Sequence, residues 1–154
     1  MINRVPNGRI CEAARKIFEE AARDGREMAI AVADEAAGLV FAACTEGCAA
    51  RVLTHAVRKA YTAATMRRDT ITFRDEDRLA GKTLADWGDP QMTHLVGGAL
   101  LWRDGEHWGG VGVGGNTTER DEELSLLARD ILLPGASRRH AGSARPGAPD
   151  DPAG

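Results

Sequence analysis

Lys59, Cys44 and the glycine-rich run that leads into Asn116 and Thr117 are the parts of this sequence best suited to act on a small molecule. Lys59 shares a helix face with Val52, Ala56 and Ala63, so its stem would run over small apolar side chains. An ammonium placed there either meets an anionic partner or snorkels to water, and spacing alone favours the snorkelling head. Cys44 is a nucleophile only beside a base that lowers its pKa; otherwise it is a small buried hydrophobe. His55, His94 and His107 are the candidate bases, and no spacing joins any of them to it. Cys44, Cys48 and His55 supply three ligands where a structural zinc site wants four, so no metal is expected. The four histidines are scattered, and none is singled out as a haem ligand.

Residues 110–115, Gly-Val-Gly-Val-Gly-Gly, satisfy G-x-G-x-x-G, but the dinucleotide fingerprint needs a βαβ unit after it and only one helix follows here. The run reads instead as a glycine face where a helix or ligand comes close, and as the entry to the last helix. Exposed amides at Asn116, Thr117 and Thr118 could receive a carboxylate or a propionate. Trp87, Trp102 and Trp108 could line a flat ligand, or could equally be core or interface anchors.

These groups must be placed by ordinary elements. Apolar residues at Ile10, Ala14, Ile17, Phe18 and Ala21 predict a helix that starts at an Asn7 cap and ends at Gly25. Residues 28–33 and 39–44 flank a Gly-bearing turn and predict an antiparallel hairpin, apolar on both faces and therefore central. Residues 49–66 lack Gly and Pro and predict a buried helix with Leu53, Val57, Ala60 and Ala64 along one face. Residues 70–90 are polar and resist assignment, with a helix over 75–85 and a turn at Trp87 to Pro90 as the best reading. A second hairpin follows around Asp104-Gly105, then a helix opened by a capping box at Thr118 to Asp121 and stopped at Pro134-Gly135. Antiparallel hairpins alternating with helices make an α+β domain.

The 154 residues, 43% hydrophobic and 28% charged, suit one domain over residues 1–134 and a disordered tail over 135–154. The net charge of -3 offers no footprint for nucleic acid. Arg67, Arg68, Arg74 and Arg78 cluster locally, but Asp69, Asp75, Glu76 and Asp77 lie among them, which reads as a solvated charged face. An odd count of three cysteines points to reduced thiols, and with no signal core and no membrane span the expected location is cytoplasmic.

Ala29-Ile-Ala-Val-Ala-Asp34 with Gly38-Leu-Val-Phe41, then residues 56–63, Gly97-Gly98, Asp104-Gly105, residues 112–117 and Asp121-Glu-Glu-Leu124 follow one another in an order that resembles the GlcG/HbpS-like family. This family, also called haem-degrading or DUF336, includes the C-terminal domain of PduO, and the resemblance spans residues 10–132. It implies a profilin-like α+β fold, a mostly antiparallel sheet of about five strands flanked by helices, and homo-oligomers. It also implies a pocket between the Lys59 helix, the strand ends at Asp34 and Cys44, and residues 112–117. Asp34, Lys59, Gly97, Gly98, Gly115, Asn116 and Thr117 are then the ligand-binding candidates, and haem the candidate cofactor. Where many relatives read Arg-Met-Asp-Gly, this chain has Cys44-Thr-Glu-Gly47, a thiol in place of a cation. The expected function is an accessory protein holding a small ligand, with haem as one possibility. The alternatives are a cofactor-independent isomerase or lyase using Cys44, Lys59 or a histidine as its base, and a structural subunit.

Overall fold

The computed structural model describes residues 2–137, so most of the expected tail, residues 138–154, lies outside the described residues. Helix α1 (Asn7–Asp24) buries Ile10, Ala14, Ile17 and Ala21 at the spacing read from the sequence. Its cap is Pro6 rather than Asn7, since the Pro6 carbonyl accepts from the amides of Arg9 and Ile10. Gly25 ends it in the left-handed region at φ 65°.

Strands β1 (Ala29–Ala33), β2 (Leu39–Cys44), β3 (Gly98–Arg103) and β4 (Glu106–Gly114) form one antiparallel sheet in the order β2-β1-β4-β3. The sheet has four strands among the described residues, those of the two expected hairpins, where the resemblance implied about five. The first hairpin is central only in part. Every residue of β1 is buried, whereas β2 is an edge strand with Leu39 57% exposed.

Helices cover both faces. Ile30, Val32, Leu101, Val111 and Val113 pack on α1 and on α4 (Thr118–Leu132). On the other face Ala29, Ala31 and Ala33 meet Ala56, Ala60 and Ala64 of helix α2 (Ala50–Met66). The glycines of β4 permit that contact: a Cβ on Gly112 would lie 2.0 Å from the Ala56 carbonyl oxygen, and one on Gly110 2.6 Å from that of Ala60. The G-x-G-x-x-G match is thus a packing surface for a helix.

Helix α3 (Thr70–Ala80) begins five residues before the expected 75 and gives way to a 3-10 turn at Leu84–Trp87. Its start is fixed by the outer edge of β3. There the Thr70 hydroxyl accepts from the Gly98 amide at 2.9 Å, and Asp69 Oδ1 accepts from the Leu100 amide at 2.8 Å. Farther along, the Ser137 amide donates to the Trp102 carbonyl at 2.7 Å.

Helix α4 is capped one residue earlier than expected, by Thr117, whose hydroxyl accepts from the Arg120 amide at 3.2 Å. That shift frees Asp121 from a capping role and turns it inward. Thr117→Ala is expected to cost about 1 kcal/mol through the lost cap, read as a lower urea midpoint with unchanged slope.

Candidate functional site

Lys59 does not snorkel. It is 3% exposed, and its Nζ donates to the Val113 carbonyl at 2.8 Å and to Asp121 Oδ2 at 3.2 Å. Burial pushes the Lys59 ammonium down from its usual pKa, and the Asp121 charge opposes that shift. Burial likewise pushes the Asp121 carboxyl up, against the Lys59 charge. Several expected site positions do gather here. A Cβ on Gly97 would lie 3.0 Å from Lys59 Nζ, and one on Gly98 2.7 Å from the Lys59 carbonyl oxygen. A Cβ on Gly115 would meet the Glu27 carbonyl oxygen at 2.3 Å.

The polar groups of this cluster are used within the chain. The Asn116 amide donates to Asp121 Oδ1 at 3.0 Å, and the Thr117 amide donates to Asn116 Oδ1 at 2.8 Å. Two of the helix-entry amides expected to hold an anion are therefore already bonded, one of them to an aspartate.

Asp34 lies elsewhere. Ala33 pairs with Gly110 while Ala29 pairs with Gly114, so Asp34 sits at the end of the sheet opposite Lys59. Its Oδ1 accepts from the amides of Ala36 and Gly38, both at 3.0 Å, and holds the hairpin turn. Cys44 is exposed at the end of β2, not a buried hydrophobe. His55 is half-buried and its pKa is lowered, first by burial and then by the charges of Lys59, Arg51 and Arg58. His107 is buried beside Trp102, their rings 6.1 Å apart. Trp87 packs on Phe73 rather than on Trp102 or Trp108. Trp108 packs against the α1–α4 core. Among the described residues no three His, Cys, Asp or Glu side chains are grouped to hold a metal, and no helix is long and apolar enough to cross a membrane.

A different constellation is better shaped for a ligand. Arg74 and Arg78 of α3, with Leu84, Thr93, His94, Leu95, Val96 and Thr118, line a cleft of about 380 Å³. His94 Nε2 sits 2.6 Å from Oδ2 of Asp77, a carboxylate 3% exposed that also accepts from Trp87 Nε1 at 2.9 Å. The Phe73 ring stacks obliquely on both His94 and Trp87, at 5.1 and 5.6 Å between centroids. The imidazole is thus held on one side by a buried carboxylate and on another by an aromatic face, which fixes its orientation.

The segment carrying His94 is itself held. The Thr93 amide donates to Thr62 Oγ1 of α2 at 3.0 Å, and the Leu95 amide to Thr93 Oγ1 at 3.1 Å. Arg74 pairs with the exposed Asp75 at 3.0 Å, while Arg78 has no ion-pair partner among the described residues. With the start of α4 at Thr118, the cleft gathers cationic groups and the positive end of a helix dipole beside Leu84, Leu95 and Val96. Its lining offers cationic groups to a carboxylate and apolar side chains to an apolar body, with an oriented imidazole on the wall.

Sequence reasoning placed Arg74 and Arg78 on a solvated face and gave His94 no preferred role. One signal was available, because Arg74, Asp77 and Arg78 at spacings of three and four share a face of α3. The Asp77–His94 contact spans 17 residues and leaves no periodic trace.

A family model described as haem degrading protein HbpS-like matches residues 8–129. Among solved structures, that of a PduOC:heme complex is similar at a TM-score of 0.77 and 21% identity, covering 89% of this chain and 99% of that one. The Klebsiella pneumoniae protein ORFY is similar at 0.76 and 18%, covering 86% and 92%. A double mutant of Streptomyces reticuli HbpS is similar at 0.74 and 27%, covering 84% and 88%. A comparison with curated proteins gives no match. The family match covers all four strands and nearly all of the four helices, and the chain belongs to the HbpS-like family.

Proposed function

We propose that this chain binds a small carboxylate-bearing ligand in the cleft between α3, the 93–96 segment and the start of α4, with haem the first ligand to test. The observation that carries this reading is the Asp77–His94 pair facing a cleft that also holds Arg74 and Arg78. The family match and the fold shared with a PduOC:heme complex favour haem among such ligands. The cleft's chemistry fits a propionate edge: two guanidiniums for the carboxylates and Leu84, Leu95 and Val96 for the ring. Bound haem would supply an iron centre, and His94 would be the imidazole of the cleft wall available to it, its tautomer fixed by Asp77.

At about 380 Å³ the cleft is at the small end for a ligand site, so a porphyrin would project from it. A second copy of the chain covering the projecting part belongs to this reading, as does a profilin-like classification of the helix-flanked antiparallel sheet. A cytoplasmic location rests on the three free cysteines. A second reading draws on the same pair: an imidazole oriented by a buried carboxylate is a competent general base, which would suit an isomerase or lyase acting on a carboxylate substrate. Cys44 and Lys59 lie outside that cleft's lining.

Haemin titration followed by absorbance tests the binding. Wild type is expected to show a saturable Soret shift at stoichiometric haem, and Arg78→Ala to bind about 10- to 100-fold more weakly through loss of a charge-assisted bond. His94→Ala is expected to move the band position. Absence of a saturable shift in wild type would rule out haem, and unchanged affinity in Arg78→Ala would rule out the cleft.

A further inference from the structure

Away from the cleft, two of the three cysteines stand together. Ala42 of β2 packs toward α2, and Cys44, two residues on and paired with Ala29, points to the same side of the sheet. Cys48 packs against the same cluster from just before α2, and its thiol interacts with that of Cys44. Between them the Thr45–Cys48 turn is closed by the Cys48 amide donating to the Thr45 carbonyl at 3.1 Å, with Gly47 at φ 86°. Cys44 is exposed and Cys48 half-buried, so a small oxidant reaches the first and the second waits behind it.

We propose that Cys44 and Cys48 are a redox modification site that closes to a reversible intrachain disulfide when a hydroperoxide reacts at Cys44. The Cys44 thiolate attacks one peroxide oxygen, the O–O bond breaks, and hydroxide leaves with the electron pair, giving a sulfenic acid. The Cys48 sulfur then attacks the Cys44 sulfur, the S–O bond breaks, and a second hydroxide leaves. The two thiol protons neutralise both hydroxides, so two thiols and one hydrogen peroxide give one disulfide and two waters. The order follows from environment. Burial, together with the neighbouring Cys44 and Glu27, pushes the Cys48 thiol up, so Cys44 is the better first nucleophile.

The bond would tie the end of β2 to the start of α2. That helix begins at an Ala49 cap with no side-chain hydrogen bond and no acidic residue in its first turn. A covalent link two residues before the helix would restrain the start that its cap leaves unsecured. Amides in the first turn of α2 are expected to exchange several-fold more slowly in the oxidised protein.

The test is peroxide treatment of the full chain, alkylation of remaining thiols, and peptide mass mapping. Cys11, exposed on α1 and far along the chain, is the internal reference. The expected result is a peptide joining residues 44 and 48 that lacks two hydrogens and resists alkylation until reductant is added, while Cys11 is alkylated. Cys48→Ser is expected to leave Cys44 as a sulfenic acid that dimedone captures. Full alkylation of both thiols after peroxide, a bridge to Cys11, or a bridge between two copies would each overturn the proposal. A wild-type bridge without dimedone capture in Cys48→Ser would overturn the assigned order of attack.

Discussion

Asp121→Ala is expected to destabilise the protein by about 3–5 kcal/mol, the usual cost of leaving a buried ion without its partner. Lys59 Nζ would keep only the Val113 carbonyl, in a place where the residue is 3% exposed, and the Asn116 amide would lose its acceptor as well. Urea unfolding at neutral pH measures the loss. The double variant Lys59→Met with Asp121→Leu is expected to recover most of it, because a buried pair replaced by apolar groups of similar volume is often close to neutral. A double variant as unstable as the single one would show that lost packing, not the stranded ammonium, sets the cost.

The same pair fixes the sign of the pH dependence. Asp121 has its carboxyl raised in the folded protein above the ordinary 3.8, so the folded state binds more protons across that interval. Its contribution is full below the ordinary value and is lost as pH rises through the raised one. Lys59 has its ammonium lowered below the ordinary 10.5, so the folded state binds fewer protons there and stability gains as pH rises across that interval. In Asp121→Ala the countercharge is gone and the lysine is depressed further. The stability gap to wild type is therefore expected to narrow between neutral pH and mild alkali. A gap that stays constant over that range would mean Lys59 is not the group left stranded.

Gly112→Ala is the second large effect. The added methyl would sit 2.0 Å from the Ala56 carbonyl oxygen and 2.7 Å from the Ala60 amide nitrogen, both backbone atoms of α2. No side-chain rotation relieves such a clash; the helix must lift from the sheet. The expected cost is at or above the upper end of the roughly 1–3 kcal/mol seen when a packed core is overfilled. Gly8→Ala is the matched control, since nothing lies within 4 Å of its added Cβ. It is expected to be neutral or stabilising by up to about 1 kcal/mol. Equal urea midpoints for the two variants would refute the close-contact role of the β4 glycines.

Much of the scaffold was legible because its signals are local. Asp104 and Gly105 both take positive φ, 52° and 77°, as the second hairpin turn requires, and Gly25 ends α1 as placed. The glycine run of β4 was correctly read as a close-approach face, with a helix as the occupant. What failed did so for want of long-range information. Strand β2 is apolar enough to look central, yet nothing in its own residues says which of its edges is covered. Residues 70–90 carry helix-forming residues diluted by charge, and the bonds that start α3 come from β3, 28 and 31 residues away. Lys59 was recognised as unusual, but its partner is 62 residues on, and the capping pattern at Thr118 gave Asp121 a different task. The cleft was missed for the same reason: its helix face was visible as charge, and the imidazole that gives it direction arrives from another segment.

The outer backbone of β3 is occupied by Asp69, Thr70 and Ser137, whereas β2 carries no hydrogen bond on its outer side at Ala42 or Cys44 among the described residues. This gives the molecule a valence of one toward strand addition. Among the described residues a foreign strand would find a free edge along β2, and a second copy joining there about a two-fold axis would consume the free edge of both. Growth through such a contact would stop at the pair, so an edge left open on one side alone would not by itself let the sheet seed a fibre.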